Sequence, residues 1–273
     1  DRMLELPEVI YISRQLGEQV TGKKVIRVLP PTKNHKFCWY NGAPEEYAEM
    51  IEGAAIEGAE GFGIYVEIRF SNGCKLCFND GVNVRLIKTE ALPKAYQLAI
   101  AFEDGEALVF TVAMYGGIIL HRGEYDNEYY QKSREALSPF SGEFRAYYDK
   151  RMAQSKQTLS AKAFLATEQR FPGIGNGVLQ DILLEAGIHP KRKINTLEDT
   201  DRESYFLHLI RTSGDDRPGG RDTEKDIFGN PGGYKTRLSK NTYKSGCPHC
   251  GGEIVKASYL EGPSIFARSA SPL

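Results

Sequence analysis

The chain has 273 residues, of which 41% are hydrophobic and 26% charged, and its formal net charge is −1. That length and apolar content suit two domains with real cores. No apolar run approaches the length of a membrane-spanning helix and no signal-like segment opens the chain. Five cysteines, an odd number without a regular framework, argue against a disulfide scaffold and make a reducing cytoplasm the default expectation. The charge is uneven: residues 1–149 carry 16 Lys+Arg against 22 Asp+Glu, and residues 150–273 carry 19 against 14. The asymmetry points to a polyanion facing the second half.

Asp1-Arg2 reads as an added tag ahead of a natural start at Met3. Pro7-Glu8 opens a helix in which Val9, Ile12, Leu16 and Val20 share one face, and Gly22 closes it. Strands are expected over Lys24–Leu29, Gly63–Phe70, Lys75–Asn79, Ala95–Phe102 and Ala107–Ala113. Ser71-Asn72-Gly73 and Glu103-Asp104-Gly105 supply the positive φ of hairpin turns. Residues 123–141 read as a linker. Helices follow over 142–153, 160–169, 177–186 and 196–212, and the Gly- and Asp-rich stretch 213–234 reads as a mobile loop. Cys74 and Cys77 form a Cys-x-x-Cys, but an odd separation on a strand turns them to opposite faces, so they read as ordinary strand residues.

Near the C-terminus, Cys247-Pro-His-Cys250-Gly-Gly has the form of half a zinc knuckle. The positions where a second pair would close the site hold Ala267 and Ala270. A tetrahedral structural zinc needs four ligands, so Cys247 and Cys250 are a half site. His249 between them does not complete it, and no bound zinc is expected.

Three segments in order carry a resemblance: Leu4-Glu5-Leu6-Pro7-Glu8-Val9; Pro172-Gly173-Ile174-Gly175-Asn176, with the helix after it ending Glu185-Ala-Gly-Ile-His-Pro190; and the terminal Cys-x-x-Cys ribbon. Together the chain resembles the formamidopyrimidine-DNA glycosylase and endonuclease VIII family of base-excision repair. The resemblance implies an α+β fold, with an N-terminal antiparallel β-sandwich and leading helix over residues 3–130. A helix–two-turn–helix DNA-binding domain would follow over 137–240, and a degenerate zinc-ribbon-like hairpin over 241–273. It also implies a monomer that binds double-stranded DNA carrying a damaged base or abasic site, with no membrane and no required cofactor.

Residue by residue, the resemblance is incomplete. The family's nucleophile is an N-terminal Pro whose free amine attacks the sugar, and the matching residue here is Leu4, which puts AP-lyase activity in doubt. Glu5 matches the family's general acid/base, and it reads equally as a helix-entry carboxylate. Asn176 matches the phosphate-binding Asn, with Gly173 and Gly175 letting backbone approach a phosphate at a helix N-terminus. No Lys stands near Phe62-Gly63-Ile64, where the family's hairpin Lys would fall. Met114-Tyr115 replaces an Arg-Phe pair, leaving Tyr115 able to stack in the duplex. Lys240 and Lys256 are candidate phosphate contacts, with Lys191-Arg192-Lys193, Lys235, Arg237 and Lys244 nearby. The expected function is therefore removal of oxidised bases, or else binding of abasic or distorted DNA by an inactive relative.

Overall fold

The structure, a computed structural model, describes residues 3–213, 219–239, 242–260 and 262–268. The chain divides into two compact units, Asp1–Arg134 with Pro218–Tyr234, and Glu135–Arg217 with Lys235–Leu273.

The first unit opens with α1 (Leu6–Val20). Pro7 suits the first turn, where its missing N–H would have no helical partner. The Glu8 carboxylate accepts from the Glu5 N–H at 3.0 Å, one arm of a capping box. Val9, Leu16 and Val20 are fully buried and Ile12 is nearly so, each stabilising the fold by about 1.5–3 kcal/mol. The strands are β1 (Val25–Leu29), β2 (Cys38–Tyr40), β3 (Ile56–Phe62), β4 (Tyr65–Phe70), β5 (Cys74–Phe78), β6 (Val82–Lys88), β7 (Leu98–Phe102), β8 (Glu106–Val112) and β9 (Gly116–Arg122). A short α2 (Tyr47–Ile51) precedes β3, and α3 (Glu128–Glu135) follows β9.

These strands form a four-stranded sheet, β1-β7-β8-β6, and a five-stranded sheet, β2-β9-β5-β4-β3. Both expected hairpin turns are present, with Gly73 and Gly105 at φ of 86° and 87°. One apolar core, drawn from α1, both sheets and Ile227, lies in this unit. The sheets are antiparallel except for β2, which pairs with β9 in parallel. Strands β2, β3, β6 and β9 go beyond the sequence reading: β2 is only three residues long and β3 and β9 are Gly-bearing runs, whereas β6 alternates cleanly, Val-Asn-Val-Arg-Leu. Residues 128–135, read as linker, form α3, whose buried Tyr130 and Ser133 face inward. Cys74 joins the main core while Cys77 joins a second cluster with Tyr65, Ile119 and Tyr130, so the two thiols do face opposite sides.

The expected mobile loop at 213–234 is corrected over its described residues 219–234. Arg221 bridges to Tyr234 and Lys225 to Pro231, while Arg221, Asp226 and Ile227 are buried. The segment was also assigned to the helical domain, but it belongs with the first unit because its buried groups bond to α1. Residues 214–218 lie outside the described residues.

The second unit contains α4 (Phe144–Gln154), α5 (Ala161–Ala166), α6 (Asn176–Ala186), α7 (Asp199–Ser213) and the hairpin β10 (Ile254–Tyr259) and β11 (Gly262–Ala267). Ser160 caps α5 by accepting from the Ala163 N–H at 3.1 Å. That helix stops three residues before the expected end, since Glu168 and Gln169 adopt positive φ. Two turns then lead to α6, giving a helix–two-turn–helix, and Gly187 ends α6 in the left-handed conformation. No described helix is long and apolar enough to cross a membrane.

The approach of α1 to β3 depends on Gly61. A Cβ there would lie 2.6 Å from the Val9 carbonyl oxygen and 2.8 Å from Val9 Cγ1. Gly61→Ala is expected to destabilise the protein by about 1–3 kcal/mol through overpacking, read as a lower urea midpoint with an unchanged slope.

Candidate active site and nucleic-acid interface

In the first unit the segment before α1 is held from two sides. The Leu4 N–H donates to the Asp80 carbonyl oxygen at 2.8 Å. On the other side the Met3 carbonyl accepts from Arg221 Nη2 at 3.0 Å. Arg221 also donates from Nε to Glu8 Oε1 at 2.9 Å, from its backbone N–H to the same oxygen at 2.8 Å, and from Nη1 to Glu5 Oε1 at 3.1 Å. All three side chains are buried. Burial opposes the Arg221 charge, but Glu5 and Glu8 outweigh it and raise its pKa above the ordinary arginine value. A second latch lies two turns further along α1: Gln15 Nε2 donates to Asp226 Oδ2 at 3.1 Å, and the Ile227 N–H donates to Gln15 Oε1 at 3.0 Å.

Asp80 sits between β5 and β6 at φ 50°, a left-handed conformation uncommon for non-glycine residues, though Asp and Asn adopt it more readily than most. The turn is pinned to the loop before β9. The Gly81 N–H donates to the Tyr115 carbonyl at 2.9 Å, the Ala113 N–H to the Gly81 carbonyl at 3.2 Å, and the Gly117 N–H to Asn79 Oδ1 at 2.8 Å. Asp80 thereby shares one end of the unit with Leu4 and Tyr115. It lines a pocket with Met3, Leu4, Asn83, Arg85 and Lys225. Burial pushes its carboxyl up to about 6. Beside it, Phe37, Trp39, Met114 and Tyr115 are exposed, with Trp39 and Tyr115 ring centroids 6.2 Å apart.

The structure thus brings Leu4, Glu5 and Tyr115 together and adds Glu8, Arg221 and Asp80, which sequence reasoning missed. Glu8 had a readable signal, since it follows Glu5 at capping-box spacing. Arg221 had none, because its partner lies 213 positions away. The Leu4 N–H is committed to the Asp80 carbonyl oxygen. Phe62, where the family's Lys would fall, stacks under the Arg134 guanidinium at 4.0 Å.

In the second unit, Gly173 has φ 95°, Gly175 occupies the N-cap position and Asn176 begins α6. The positive end of the helix dipole is at that point. Lys256 is exposed on β10, its Nζ 5.7 Å from the Tyr243 ring centre. Lys240 lies outside the described residues. The buried Lys162 donates to the Tyr259 carbonyl at 2.5 Å and to Ser264 Oγ at 3.1 Å, tying α5 to the hairpin.

The hairpin residues do not fit a four-ligand zinc. Cys247 is buried in an apolar cluster with Leu184, Leu238, Ile265 and Ala267, and Cys250 is exposed. Ala267, at a closing-ligand position, is fully buried and offers no donor atom. Ala270 lies outside the described residues.

Residues 3–154 match the family model for the formamidopyrimidine-DNA glycosylase N-terminal domain. The chain belongs to this family. It is 27% identical to the formamidopyrimidine-DNA glycosylase of Bacillus licheniformis over 264 residues, covering 93% of this chain and 94% of the relative. It is 28% identical to that of Carboxydothermus hydrogenoformans over 270 residues, covering 93% and 94%. The fold matches Lactococcus lactis Fpg in complex with abasic-site DNA at a TM-score of 0.79 and 20% identity, covering 98% of this chain and all of that one. MutM in complex with DNA containing carbocyclic 8-oxo-G matches at 0.75 and 19%, with 98% and 100% covered.

Arg221 is a buried countercharge shared by Glu5 and Glu8. Arg221→Met is expected to cost about 3–5 kcal/mol, as for removal of one partner from a buried ion pair. Urea unfolding checks this, and a loss below about 1 kcal/mol would contradict the buried-pair geometry.

Proposed function

We propose that this chain is a DNA glycosylase of base-excision repair that binds duplex DNA carrying an oxidised base and releases the base by hydrolysis. The family match supports the glycosylase reading. One observation carries the hydrolytic part: at the position of the family's amine, the Leu4 nitrogen is bonded to the Asp80 backbone, and the half-buried Asp80 carboxyl, with a raised pKa, lines the adjoining pocket. That pocket has room for about one water molecule rather than a base, which suits the attacking water, while the everted base must lie outside it.

In this reading Asp80 accepts a proton from water as the water oxygen bonds to the sugar C1′. The bond from C1′ to the base breaks, its electron pair leaves with the base, and the base takes a proton from solvent. Positive charge develops on the sugar as that bond weakens. Glu5, Glu8 and Glu224 around Arg221 leave an excess of negative charge, which favours a cationic transition state nearby. Glu5 is then a positioning and electrostatic group rather than the proton acceptor. Phosphate contacts fall to Asn176 at the head of α6, helped by Gly173 and Gly175, and to Lys256 and Lys240. Tyr115 fills the space left by the everted base.

The test uses duplexes carrying single oxidised purines or pyrimidines, with base release measured beside borohydride trapping. The expected result is base release without a covalent adduct. A trapped adduct, or tight binding of abasic-analogue duplex with no base released, would overturn the hydrolytic reading. Base activity needs the ionised carboxylate, so kcat is expected to fall about tenfold per pH unit below the Asp80 value of about 6. Asp80→Asn should abolish that acid limb. Because the folded state raises this pKa, the carboxyl's relative stabilisation is lost as pH rises through about 6. Asp80→Asn should therefore unfold at a higher temperature than the parent chain at pH 7.5 while losing activity.

A further inference from the structure

On the face of the five-stranded sheet turned away from the main core, three ligand-bearing side chains converge. Glu67 on β4 stands directly opposite Cys77 on β5, and Cys77 opposite Ile119 on β9. His121 lies two residues beyond Ile119, on the same face. Among the described residues, Glu67, Cys77 and His121 are the one group of three such side chains whose ligand atoms all lie within 4.8 Å of one another. All three are buried, Glu67 and Cys77 completely and His121 to 3% exposure.

We infer that Glu67, Cys77 and His121 form a binding site for a divalent metal ion of zinc type, separate from the Cys247/Cys250 hairpin and from the pocket at Leu4. The imidazole carries the argument. His121 Nδ1 lies 3.2 Å from the Gly123 carbonyl oxygen, which can only accept, so Nδ1 bears the proton. In a neutral ring Nε2 then presents a lone pair. That atom is buried with no hydrogen-bond partner, and it faces Glu67 Oε2 at 3.6 Å. Positive charge is favoured between that nitrogen and the carboxylate, and either a proton on Nε2 or a metal ion would supply it; the titration below distinguishes the two. The second-nitrogen bond to a backbone carbonyl is the arrangement that orients histidine ligands. The Glu67–His121 separation of 3.6 Å matches the roughly 3.3–3.8 Å between ligand atoms of a tetrahedral ion with bonds of about 2.0–2.3 Å, and Cys77 lies within 4.8 Å of both. Imidazole, thiolate and carboxylate together are a zinc-type donor set.

The surrounding charge agrees. Arg134 donates to Glu67 Oε1 at 2.6 Å and to Glu60 Oε1 at 2.5 Å, and Tyr130 donates to Glu67 Oε2 at 2.7 Å. One guanidinium against two carboxylates leaves one negative charge. A divalent ion that displaces the Cys77 proton to solvent adds two positive charges and one negative, which makes the group neutral. Burial pushes the Cys77 thiol up, and Glu67 pushes it further, so the thiol stays protonated until a metal replaces the proton. The Tyr130 hydroxyl or a water supplies the fourth position. Bound metal would clamp α3 to the sheet through Tyr130 and Arg134.

The experiment is titration of the full-length, metal-stripped chain with Co²⁺ and then Zn²⁺, followed by absorbance and thermal unfolding. One equivalent of Co²⁺ should give a thiolate charge-transfer band in the near ultraviolet, which Zn²⁺ abolishes. Zn²⁺ should raise the unfolding temperature and a chelator should reverse the rise. Cys77→Ser and His121→Gln, with folding checked by circular dichroism, should each lose the band and the shift. The Cys247→Ser/Cys250→Ser double variant should keep both. The inference is overturned if the parent chain gives no band, if the band follows Cys247 and Cys250, or if it survives both Cys77→Ser and His121→Gln.

Discussion

The geometry of the N-terminal unit depends on one buried guanidinium. Arg221 joins the Met3 carbonyl and the Glu5 and Glu8 carboxylates, all short of the first full turn of α1. A buried charge is tolerable only when it is paired and its donors are satisfied, so the segment carrying Arg221 has no freedom to lie elsewhere. Gln15 and Asp226 repeat the lock, and Ile227 enters the main core fully buried. The Leu86 N–H bonds to the Ile227 carbonyl at 2.9 Å, extending the attachment to β6. A stretch near the end of the chain is in this way part of the first unit, and it holds the residue that would carry the family's chemistry.

That hold has a chemical consequence. Where an amine nucleophile would need a free nitrogen, the Leu4 nitrogen donates to a neighbouring turn, and the residue accepting that bond is an aspartate in a strained conformation. Strain at a non-glycine residue persists only when the surroundings over-determine it. Here the bonds to Ala113, Tyr115 and Gly117 do so. The same bonds place the exposed Tyr115 ring next to the half-buried Asp80 carboxyl.

The hairpin at the C-terminus shows packing taking over from ligand bonds. Cys247 contributes to an apolar cluster with Leu184 and Ile265, Phe266 stands edge-on to His189 with ring centres 4.4 Å apart, and Lys162 ties the strand ends to α5. Such a hairpin is held as any small β-structure is held, by buried side chains and satisfied polar groups. On the opposite side of the sheet in the first unit, Glu67, Cys77 and His121 show the converse: ligand-type side chains gathered where sequence spacing gives no hint of a site.

The sequence by itself determined whatever is local. The capping residues and apolar face of α1, the Asn-Gly and Asp-Gly turns, the glycines ahead of α6 and the alternation that separates Cys74 from Cys77 all act over a few residues, and all are legible in order. The α+β class and the family followed from motifs of that kind. Weakly alternating strands such as β3 and β9, and the polar helix α3, escaped notice because their burial comes from partners distant in sequence. Only the tertiary structure decided that Glu5 is neutralised by Arg221, that Asp80 adjoins Leu4, and that residues 219–234 are ordered against α1. Those outcomes depend on which buried charges meet, and pairing over some two hundred residues leaves no period or spacing in the chain to read.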